Sequence, residues 1–500
     1  MLCYNISMIR PSRAQFLMAA QPLILSLPQP EADVFELYRR ATVPGRPSFL
    51  FESGKGGGAT ARWSFFGSDP YLELSGKNAC YELRTRDGSV VHKGEPFAAL
   101  AELLRASRMS RPEKAPPFIG GAVGYFGYDL IRRFENLPTL ATDDLRLPDL
   151  LFAFVDCFAA LDHHTRTLHL IYAPPLDRAQ GQLREKLYRE GCDRLAELQA
   201  RLQAKHKGDK GALHIGRLTV TPEQSRADYV QRAAQVQEFI RSGDIYQANL
   251  SQRLTIDRAP GWPLEHFRQR AGEALYSRVR AVNPSPFAGL LAFDNMTLVS
   301  SSPERLVRLD ARRVDTRPIA GTRPRGETPA DDRRLAEELI TNPKERAEHL
   351  MLVDLERNDL GRVCKYGSVR TDELMVVERY SHVSHIVSNV TGELRDGLDG
   401  FDLLKAVFPG GTITGVPKIR CMEILEGLEP VRRGPYTGAM GYLSWSGDLD
   451  LNIIIRTMLL VGGRGYLQVG AGIVADSEPL KEYEETLFKA EAFLKALSET

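Results

Sequence analysis

The sequence predicts an α+β fold that contains antiparallel sheet. Residues 20–175 alternate short β-rich runs with turn clusters, and Asp87-Gly88 between two such runs is a hairpin signal. The rest of the chain mixes strand-like and helical stretches, without a Gly-x-Gly-x-x-Gly after a strand and without a repeat of fixed period. These observations exclude a doubly wound nucleotide-binding fold and a repeat architecture.

The length of 500 residues is large for a single core and predicts two domains, or one large unit with intertwined halves. Leucines recur at helical spacing between residues 176 and 204 and predict a long helix. The polar stretch KHKGDKG at 205–211 follows and is typical of a domain boundary. We therefore place an N-terminal domain at residues 1–210 and a C-terminal domain at 211–500.

Composition and charge indicate an ordinary globular enzyme, with 43% apolar residues, 26% charged residues and a formal net charge of +1. Because neither sign of charge forms long blocks, we expect no nucleic-acid partner and no membrane surface as partner. The six cysteines form no Cys-x-x-Cys pair, which argues against disulfides and zinc and favours the cytoplasm. Gln21 and Pro22 interrupt the apolar run near the start, so we expect PLILSL to be the first strand and not part of a signal peptide.

The segment after the boundary predicts a helix followed by a strand. SRADYVQRAAQVQEFIRSGD begins with Ser225 as an N-cap candidate and stops at Gly243. The next run, IYQANLSQRL, alternates strictly, so that one face carries Tyr246, Ala248 and Leu250, and the other carries Gln247, Asn249, Ser251 and Arg253. This strand is predicted to present polar groups to a neighbour or a ligand.

The segment TNPKERAEHLMLVDLERNDLGRV at 341–363 predicts a helix with two acidic residues near its start. Asn342 as the cap, Pro343 at the first helical position and Glu345 three residues after the cap form a capping-box pattern. Glu345 and Glu348 also project from one face of the helix, where two carboxylates could serve as acid and metal ligand. The sequence alone leaves both interpretations of Glu345 open.

A second acidic helix, EPLKEYEETLFKAEAFLKAL, places Glu485 one turn before Lys489. One interpretation is an i, i+4 salt bridge on a solvated face. The other is that Glu485 meets Glu348 across the fold to hold Mg²⁺, which favours oxygen ligands and keeps several waters. The spacing does not choose between them.

Two further segments carry histidine, lysine or arginine side chains that could act at a site. In ERYSHVSHIVSNV, the odd separation of His382 and His385 places them on opposite faces of a strand, which argues against a shared metal. FPGGTITGVPKIRCMEIL carries Lys418 and Arg420 at the start of a helix, where backbone N–H groups bind carboxylate or phosphate, and an ordinary helix start is the alternative.

The last two strand-like segments contain an arginine and two glycines. Arg456 ends the apolar run DLNIIIRT, where it suits bidentate carboxylate recognition, with an edge arginine in water as the alternative. Gly470 and Gly472 lie inside the run VGAGIVADS, and glycine in a strand marks the close approach of a ligand or another backbone.

Together these runs resemble the chorismate-utilising enzymes, specifically the large subunits of anthranilate synthase and aminodeoxychorismate synthase. RPIAGTRPRG, KERAEHLMLVDLERNDLGRV, ERYSHVSHIVSNV and GAGIVADS carry the resemblance, which covers most of the chain. It implies two intertwined domains, with antiparallel sheets that form a sandwich flanked by helices. It also implies a cleft in the C-terminal domain for chorismate and Mg²⁺.

The resemblance further implies roles for individual residues. Glu348 and Glu485 would hold Mg²⁺ on the ring carboxylate. Glu345 would be the general acid for the departing C4 hydroxyl, and His385 would assist proton movement near C2. The groups that would bind the substrate carboxylates are Thr412, Tyr436, Arg456, Gly470, Ala471, Gly472 and Lys489. Because chorismate is a dianion with a poor leaving group, a metal and an acid would lower the barrier together.

Ala320, which precedes Gly321 and Thr322 in TRPIAGTRPRG, divides two branches of this family. One type of aminodeoxychorismate synthase has a lysine there that attacks C2 and directs ammonia to C4, whereas anthranilate synthases have alanine, and ammonia attacks C2. FPGGTITGVPK, IYQANLSQR and DLNIIIRT instead resemble aminodeoxychorismate synthases, where anthranilate synthases more often show FPAGTLSGAPK, FQVVLSQR and DxAIAIRT. The motifs together favour C4 amination, for 4-aminobenzoate and folate biosynthesis, with anthranilate synthase as the alternative.

The resemblance also implies a partner subunit. The chain has no Cys, His and Glu arrangement with a nucleophile turn, so we expect ammonia to come from a separate glutamine amidotransferase or from free ammonium. Anthranilate synthases bind a feedback amino acid near a run similar to FLFES, and this points to Glu52 and Ser53 as a second candidate site.

Overall fold

The computed structural model describes residues 8–53, 61–176, 182–204, 219–257, 264–379 and 383–498. Within these ranges no helix is long and apolar enough to cross a membrane. The strands are β1 (Ile9–Arg10), β2 (Leu23–Pro28), β3 (Ser48–Glu52), β4 (Trp63–Ser68), β5 (Leu72–Lys77), β6 (Cys80–Thr85), β7 (Gly88–Lys93), β8 (Gly121–Phe126), β9 (Leu150–Val155), β10 (Cys157–Asp162), β11 (Thr167–Tyr172), β12 (Thr219–Pro222), β13 (Gln247–Asp257), β14 (Phe287–Ala292), β15 (Met296–Ser302), β16 (Arg305–Asp310), β17 (Arg313–Arg317), β18 (Ile319–Pro324), β19 (Arg370–Arg379), β20 (Val383–Glu393), β21 (Gly415–Val416), β22 (Ala439–Ser444), β23 (Leu449–Ile453), β24 (Thr457–Val461) and β25 (Arg464–Ile473).

The α-helices lie between and beside these strands. They are α1 (Arg13–Met18), α2 (Val34–Ala41), α3 (Pro96–Ala106), α4 (Gln182–Gln203), α5 (Arg226–Arg241), α6 (Leu264–Val282), α7 (Pro329–Thr341), α8 (Pro343–Gly361), α9 (Gly400–Val407), α10 (Lys418–Leu428) and α11 (Pro479–Ser498). A short 3-10 helix, Gly411–Ile413, follows α9.

Two large antiparallel sheets contain the strands of the described chain. The first has the order β1-β2-β11-β10-β4-β3-β14-β15-β24-β25-β13-β12, and β21 pairs with β13. The second has the order β18-β20-β17-β16-β23-β22-β8-β9-β5-β6-β7, and β19 pairs with β20. Each sheet takes strands from both sides of residues 205–218, so the two halves of the chain are intertwined in an α+β fold, as predicted.

The two sheets pack face to face around buried aromatic rings. The ring of Phe65, in the first sheet, lies 5.3 Å from that of Tyr442, in the second, and Phe118 contacts both rings at 5.7 and 4.9 Å. All three belong to one hydrophobic cluster that runs through both sheets. Burying one such side chain contributes about 1.5–3 kcal/mol, so these rings help to hold the two sheets together.

Several elements predicted from the sequence are confirmed. PLILSL forms β2, the leucine repeat forms α4, and β6 and β7 make the hairpin, with Thr85 opposite Gly88. Ser225 accepts a hydrogen bond from the Asp228 amide and caps α5. Residues 205–211 lie outside the described ranges, so the domain boundary placed there stays a prediction.

The strand predicted from IYQANLSQRL is β13, with one difference. Tyr246 precedes the strand and is 69% exposed, so the apolar face begins at Ala248. On the polar face, Ser251 bonds to Glu429 and Arg253 bonds to Asp144. The polar face of β13 therefore contacts other parts of the chain, and its first two members, described below, reach the candidate site.

Candidate active site

The start of α8 directs Glu345 toward β18. The Asn342 side chain accepts hydrogen bonds from the Lys344 and Glu345 amides at 3.0 and 3.2 Å, so it caps the helix as predicted. The Asn342 amide, however, donates to Glu338 O, and Glu345 Oε1 accepts from Arg323 Nη1 at 3.1 Å. The reciprocal half of the predicted capping box is therefore wrong, because the Glu345 carboxylate faces the strand and not its own helix end.

Glycine at position 321 allows this approach. Gly321 has a φ of +64°, and a Cβ atom there would lie 2.8 Å from Glu345 Oε2. The carbonyl of Gly321 lies 3.2 Å from His385 Nδ1, and the Thr322 hydroxyl lies 3.0 Å from the same nitrogen. Ala320, which is 7% exposed, precedes them on β18. The RPIAGT segment thus connects the acidic helix with the histidine.

His385 is buried on β20 and is uncharged. Burial lowers the pKa of His385 to about 3, and the charges of Arg456 and Lys489 lower it further. Since the Gly321 carbonyl can only accept, Nδ1 carries the proton. With Nδ1 protonated, Nε2 is suited to accept a hydrogen bond from a substrate, while the low pKa disfavours the imidazolium form. His382 lies outside the described residues.

Glu348 lies one turn after Glu345 and meets the polar face of β13. Its Oε1 accepts a hydrogen bond from Gln247 Nε2 at 2.9 Å. A Cβ atom on Gly472 would lie 2.6 Å from the same Nε2, so glycine leaves room for this contact. Burial raises the pKa of Glu348, and the nearby charges of Glu345 and Glu485 raise it further.

Glu485 and Lys489 extend this group from α11. Lys489 Nζ lies 2.7 Å from Glu485 Oε1, so the i, i+4 salt bridge forms. The same ammonium donates to the Gly470 carbonyl at 3.0 Å. Glu485 therefore pairs with Lys489, and its charge also raises the pKa of Glu348, whereas a Mg²⁺ ion shared by Glu485 and Glu348 stays a prediction.

Tyr436 and Asn249 meet at Gly470. A Cβ atom on Gly470 would lie 2.7 Å from the Tyr436 hydroxyl and 3.1 Å from Asn249 Nδ2. Asn249 Nδ2 also donates to the Ile413 carbonyl at 3.1 Å, and burial raises the pKa of Tyr436 to about 12. Ala471, between the two glycines, is fully buried. The glycines therefore mark a close approach of side chains, as the strand pattern predicts.

The oxygen atoms around Glu348 suit a divalent cation. Gln247 Oε1 is buried and has no hydrogen-bond partner among the described residues, next to an amide nitrogen that binds Glu348. Two carboxylates and one amide oxygen match the ligand preference of Mg²⁺, which keeps several waters when few protein ligands are available. Within the described ranges, no group of three His, Cys, Asp or Glu residues is gathered for a metal.

Arg456 is a half-buried residue whose guanidinium lies in a desolvated position. It lies in the turn between β23 and β24 with a φ of +47°, not at the end of the strand as predicted. The desolvation of the guanidinium argues against the alternative of an edge arginine in water. Burial lowers the pKa of Arg456, and the charge of Glu304 partly offsets this. A desolvated guanidinium of this kind is suited to bind a carboxylate.

Glu304 is a candidate functional residue that the sequence analysis missed. It is buried between β15 and β16, and the Thr412 hydroxyl near its carboxyl group has no hydrogen-bond partner among the described residues. Burial raises the pKa of Glu304 to about 8, and the charge of Glu356 contributes. Its signal was the segment SSPER, where a buried strand ends and an acidic residue follows after one proline.

The cations in the turn before α10 are already paired. Lys418 Nζ lies 2.5 Å from Asp359 Oδ2 and donates to the Val407 carbonyl at 3.1 Å, while Arg420 pairs with Asp244 at 2.9 Å. These two side chains are therefore already bound within the protein, whereas anion binding by the backbone N–H groups of this turn stays a prediction. Of this segment, Thr412 joins the candidate site, through Glu304.

A cavity of about 360 Å³ lies between the sheets, apart from the candidate active site, and is lined in part by Glu52 and Ser53. Glu52 accepts hydrogen bonds from Tyr276 at 2.8 Å and from Arg280 Nε at 2.9 Å. Its carboxylate is thus already bound within the protein. A feedback amino acid at this position stays a prediction.

The fold and the site fit the class of enzymes that bind chorismate. The fold consists of two packed antiparallel sheets, and the site gathers carboxylates, a neutral histidine and cations around β13, β18, β20 and β25. Residues 46–495 match the chorismate binding enzyme family, and the chain belongs to that family.

Similar proteins carry two names. Anthranilate synthase component 1 of Acetivibrio thermocellus is 43% identical over 458 residues, which cover 90% of each chain. Aminodeoxychorismate synthase component 1 of Bacillus subtilis is 42% identical over 453 residues, which cover 90% of this chain and 91% of that protein. The crystal structure of anthranilate synthase component I from Streptococcus pneumoniae is 34% identical, with a TM-score of 0.75, and the match covers 87% of this chain and 93% of that one.

Proposed function

We propose that this protein is component I of an aminodeoxychorismate synthase, which aminates chorismate at C4 to give 4-amino-4-deoxychorismate. The position of Asn249 carries the choice of product. Its amide lies in the pocket beside Tyr436 and Gly470, where anthranilate synthases more often have the second valine of FQVVLSQR. The relative from Bacillus subtilis that bears this name supports the proposal, with 42% identity over nine-tenths of both chains.

Two cations would bind the dianionic substrate. Arg456 is half-buried with a desolvated guanidinium, and Lys489 reaches the backbone of β25 from α11. A substrate carboxylate beside Arg456 would favour its charged form, which burial disfavours. Tyr436 is protonated and would donate a hydrogen bond, and the Gly470 to Gly472 backbone leaves space for close contact.

Two carboxyl groups with different surroundings would carry out the two proton transfers of the reaction, one as proton donor and the other as proton acceptor. Glu304 keeps its proton at neutral pH because its pKa is raised to about 8, and it lies beside Thr412. Glu345, the acid predicted from the resemblance, is ion-paired with Arg323. Glu304 would donate a proton to the departing C4 hydroxyl. Glu345 would accept a proton from the incoming ammonium.

Glu348 and Glu485 would hold Mg²⁺, with Gln247 Oε1 as a third oxygen. When bound, the ion would polarise the ring carboxylate and stabilise the charge that develops as the hydroxyl departs. A glutamine amidotransferase subunit in the same cytoplasmic compartment would supply ammonia, since the other component I proteins of this family bear names that imply a second component.

Anthranilate synthase component I is the second candidate function. Ala320 favours it, because a buried methyl group cannot form the lysine adduct that directs ammonia to C4. The Acetivibrio relative, at 43% identity, supports it as well. In this reaction the same pocket would aminate C2 and eliminate pyruvate.

A product assay separates the two functions. Purified protein is incubated with chorismate, Mg²⁺ and ammonium, with and without aminodeoxychorismate lyase, and products are detected by chromatography with fluorescence. We expect 4-aminobenzoate only when the lyase is present. Anthranilate formed without the lyase would reject the proposal and support the second candidate.

The variant Asn249→Val tests the residue that carries the proposal. Because valine removes the amide beside Tyr436, we expect a lower yield of the C4 product for each chorismate consumed. Leu250→Val, a change on the opposite face of β13, is the matched control. An unchanged product ratio in Asn249→Val would show that Asn249 does not determine the product.

A further inference from the structure

A buried ion pair adjoins the pocket that Asn249 and Tyr436 form. Arg433 is 4% exposed and lies in the segment between α10 and β22, and Glu429, which is 7% exposed, directly follows α10. Arg433 Nε donates to Glu429 Oε2 at 2.8 Å, and Arg433 Nη2 donates to Glu429 Oε1 at 2.8 Å. The two side chains therefore form a bidentate pair that is shielded from water.

The rest of the guanidinium binds groups outside the ion pair. Arg433 Nη2 also donates to the Asn249 carbonyl at 2.6 Å. Nη1 donates to the Ile413 carbonyl at 3.0 Å and to the Thr437 hydroxyl at 3.3 Å. Since an arginine side chain has five N–H donors, Arg433 uses all of them, two for the carboxylate and three for these groups.

These hydrogen bonds join three segments that are far apart in the chain. β13 carries Asn249, the 3-10 helix after α9 carries Thr412, and the segment between α10 and β22 carries Tyr436. The Tyr436 amide donates to the Arg433 carbonyl at 3.1 Å, and the guanidinium lies 5.7 Å from the centre of the Tyr436 ring. One side chain thus sets the spacing of three segments that carry candidate site residues.

The Ile413 carbonyl links Arg433 to the direction of the Asn249 side chain. This carbonyl accepts one hydrogen bond from Arg433 Nη1 and a second, at 3.1 Å, from Asn249 Nδ2. The same Nδ2 is the group that lies beside Gly470 in the pocket. Arg433 therefore holds both the backbone of Asn249 and the carbonyl that orients its side chain.

Glu429 connects the ion pair to the strands of the pocket. Its Oε1 accepts hydrogen bonds from the Ser251 amide at 2.9 Å and from the Ser251 hydroxyl at 2.8 Å. Ser251 Oγ accepts in turn from Gln468 Nε2 at 2.8 Å, and Gln468 lies two residues before Gly470 on β25. The pair, β13 and β25 therefore belong to one hydrogen-bond network.

Charge balance alone does not account for an arginine at this position. A lysine would neutralise Glu429 equally well, but its three donors lie on one nitrogen and lack the fixed fork of a guanidinium. A well-packed apolar pair is often as stable as a buried ion pair. The three hydrogen bonds to pocket segments use the part of the guanidinium that a lysine lacks, so they indicate positioning in addition to neutralisation.

We propose that Arg433 is a positioning residue for the reaction: it fixes Asn249, Tyr436 and the Gly411–Ile413 turn relative to one another. The inference rests on the proposed function, which places chorismate beside Asn249 and Tyr436. A loosened guanidinium would displace all three segments at once. A displacement of about 1 Å in a substrate pocket can lower the rate about 10²-fold.

The test is kcat and KM for chorismate consumption with saturating ammonium, below the unfolding transition, together with Tm. Arg433→Lys keeps the charge beside Glu429 but leaves acceptors without a donor, so we expect kcat/KM to fall about 10–100-fold. Arg253→Lys is the matched control, because Arg253 is also 4% exposed, lies on β13 and pairs with Asp144 and Glu223. It should lower Tm and leave kcat/KM unchanged.

A double-mutant cycle separates positioning from a general loosening of the fold. If Arg433 acts through Asn249, Arg433→Lys should lower kcat/KM by a smaller factor in an Asn249→Val background than in wild type. Arg253→Lys should have the same effect in both backgrounds. Losses of Arg433→Lys and Asn249→Val that simply multiply would overturn the proposal.

A wild-type kcat/KM in Arg433→Lys would also overturn the proposal, even where Tm falls, because a purely structural ion pair behaves in that way. Formation of anthranilate by the wild type rejects only the proposed product, since kcat/KM is measured on chorismate consumption.

If Arg433→Lys does not fold, Glu429→Gln decides in its place. Glutamine keeps one acceptor but releases part of the Arg433 guanidinium, so kcat/KM should fall by a smaller factor, and an unchanged value overturns the proposal. The matched control is Glu426→Gln, one turn earlier on α10. Glu426 is a buried carboxylate that accepts from the Leu140 and Ala141 amides, and its variant should lower Tm only.

Discussion

Two neighbouring residues, Glu304 and Arg305, belong to two regions of buried charge. The regions differ in whether each charge has a partner of opposite sign. Arg305 begins β16 and bonds to Asp450 at 2.9 Å and to Asp315 at 3.1 Å, while Arg308 bonds to the same Asp315 at 2.9 Å. These charges neutralise one another between the sheets. Glu304, which directly precedes Arg305, faces the candidate active site and makes no salt bridge among the described residues.

The difference separates structural charge from charge that serves chemistry. Buried ions with complete partners are held in one state and fix the geometry of the sheets. Around Glu304, by contrast, burial raises the pKa of the Glu304 carboxyl group and lowers the pKa values of Arg456 and His385. Each shift favours the neutral form of the group. Groups that the protein leaves without a full counter-charge are the ones that a charged substrate and a metal could complete.

The largest expected effect is on the chemical step. Glu304→Gln removes the proposed acid while keeping the shape of the side chain, and we expect kcat to fall by about 10²–10⁴-fold. Chorismate consumption with saturating ammonium measures this, with Glu426→Gln as the control. A variant that keeps more than a tenth of the wild-type kcat would contradict the assignment of Glu304.

The paired region should respond in stability. Asp315→Asn leaves Arg305 and Arg308 without their shared carboxylate, and removing one partner of a buried pair costs about 3–5 kcal/mol of the free energy of unfolding. Urea denaturation measures this loss, and kcat at a temperature below the transition should change little. If Asp315→Asn were as stable as wild type but inactive, the division between the two regions would be wrong.

Mg²⁺ should stabilise the active-site region. At a concentration 100 times its Kd, an ion that binds only the folded protein adds about 2.7 kcal/mol to the free energy of unfolding. We expect Mg²⁺ to raise the Tm of wild type and to have no effect on Glu348→Gln. Glu491→Gln, on the exposed side of α11, is the control and should respond as wild type does. A Tm increase retained in Glu348→Gln would place the ion elsewhere.

The smallest expected effect is the acid sensitivity of the buried histidines. Burial lowers the pKa of His385 to about 3 and that of His349 to about 4, from 6.5 in the unfolded chain. Because the unfolded state binds these protons first, stability is greatest above pH 6.5 and falls as the pH drops toward 4. One pH unit below 6.5 the loss is about 1 kcal/mol per histidine.

Urea denaturation of His349→Gln at pH 7.0 and 5.5 tests this expectation. The difference between the two pH values should be smaller than in wild type by about 1 kcal/mol. His164→Gln, at an exposed position, is the control. The same pH dependence in wild type and His349→Gln would show that His349 takes up its proton equally in both states.

The sequence by itself determined the local structure of this protein. Asn342 and Pro343 mark the start of α8, the leucine spacing gives α4, and the glycines of β25 mark close contacts, because caps, periodicity and missing side chains act over a few residues. The family motifs also carried the identity of the fold, and the structure brings the predicted site residues together from β13, β18, β20, β25, α8 and α11.

Only the tertiary structure decided which charges are paired. The direction of the Glu345 side chain, the pairing of Lys418 with Asp359, and the place of Glu304 beside Thr412 depend on contacts between distant segments. A sequence pattern shows that a residue can carry charge, but burial and the nearest counter-charge set its protonation state. Those quantities exist only after the two sheets have packed, and they make Glu304 a candidate acid and Arg305 a structural cation.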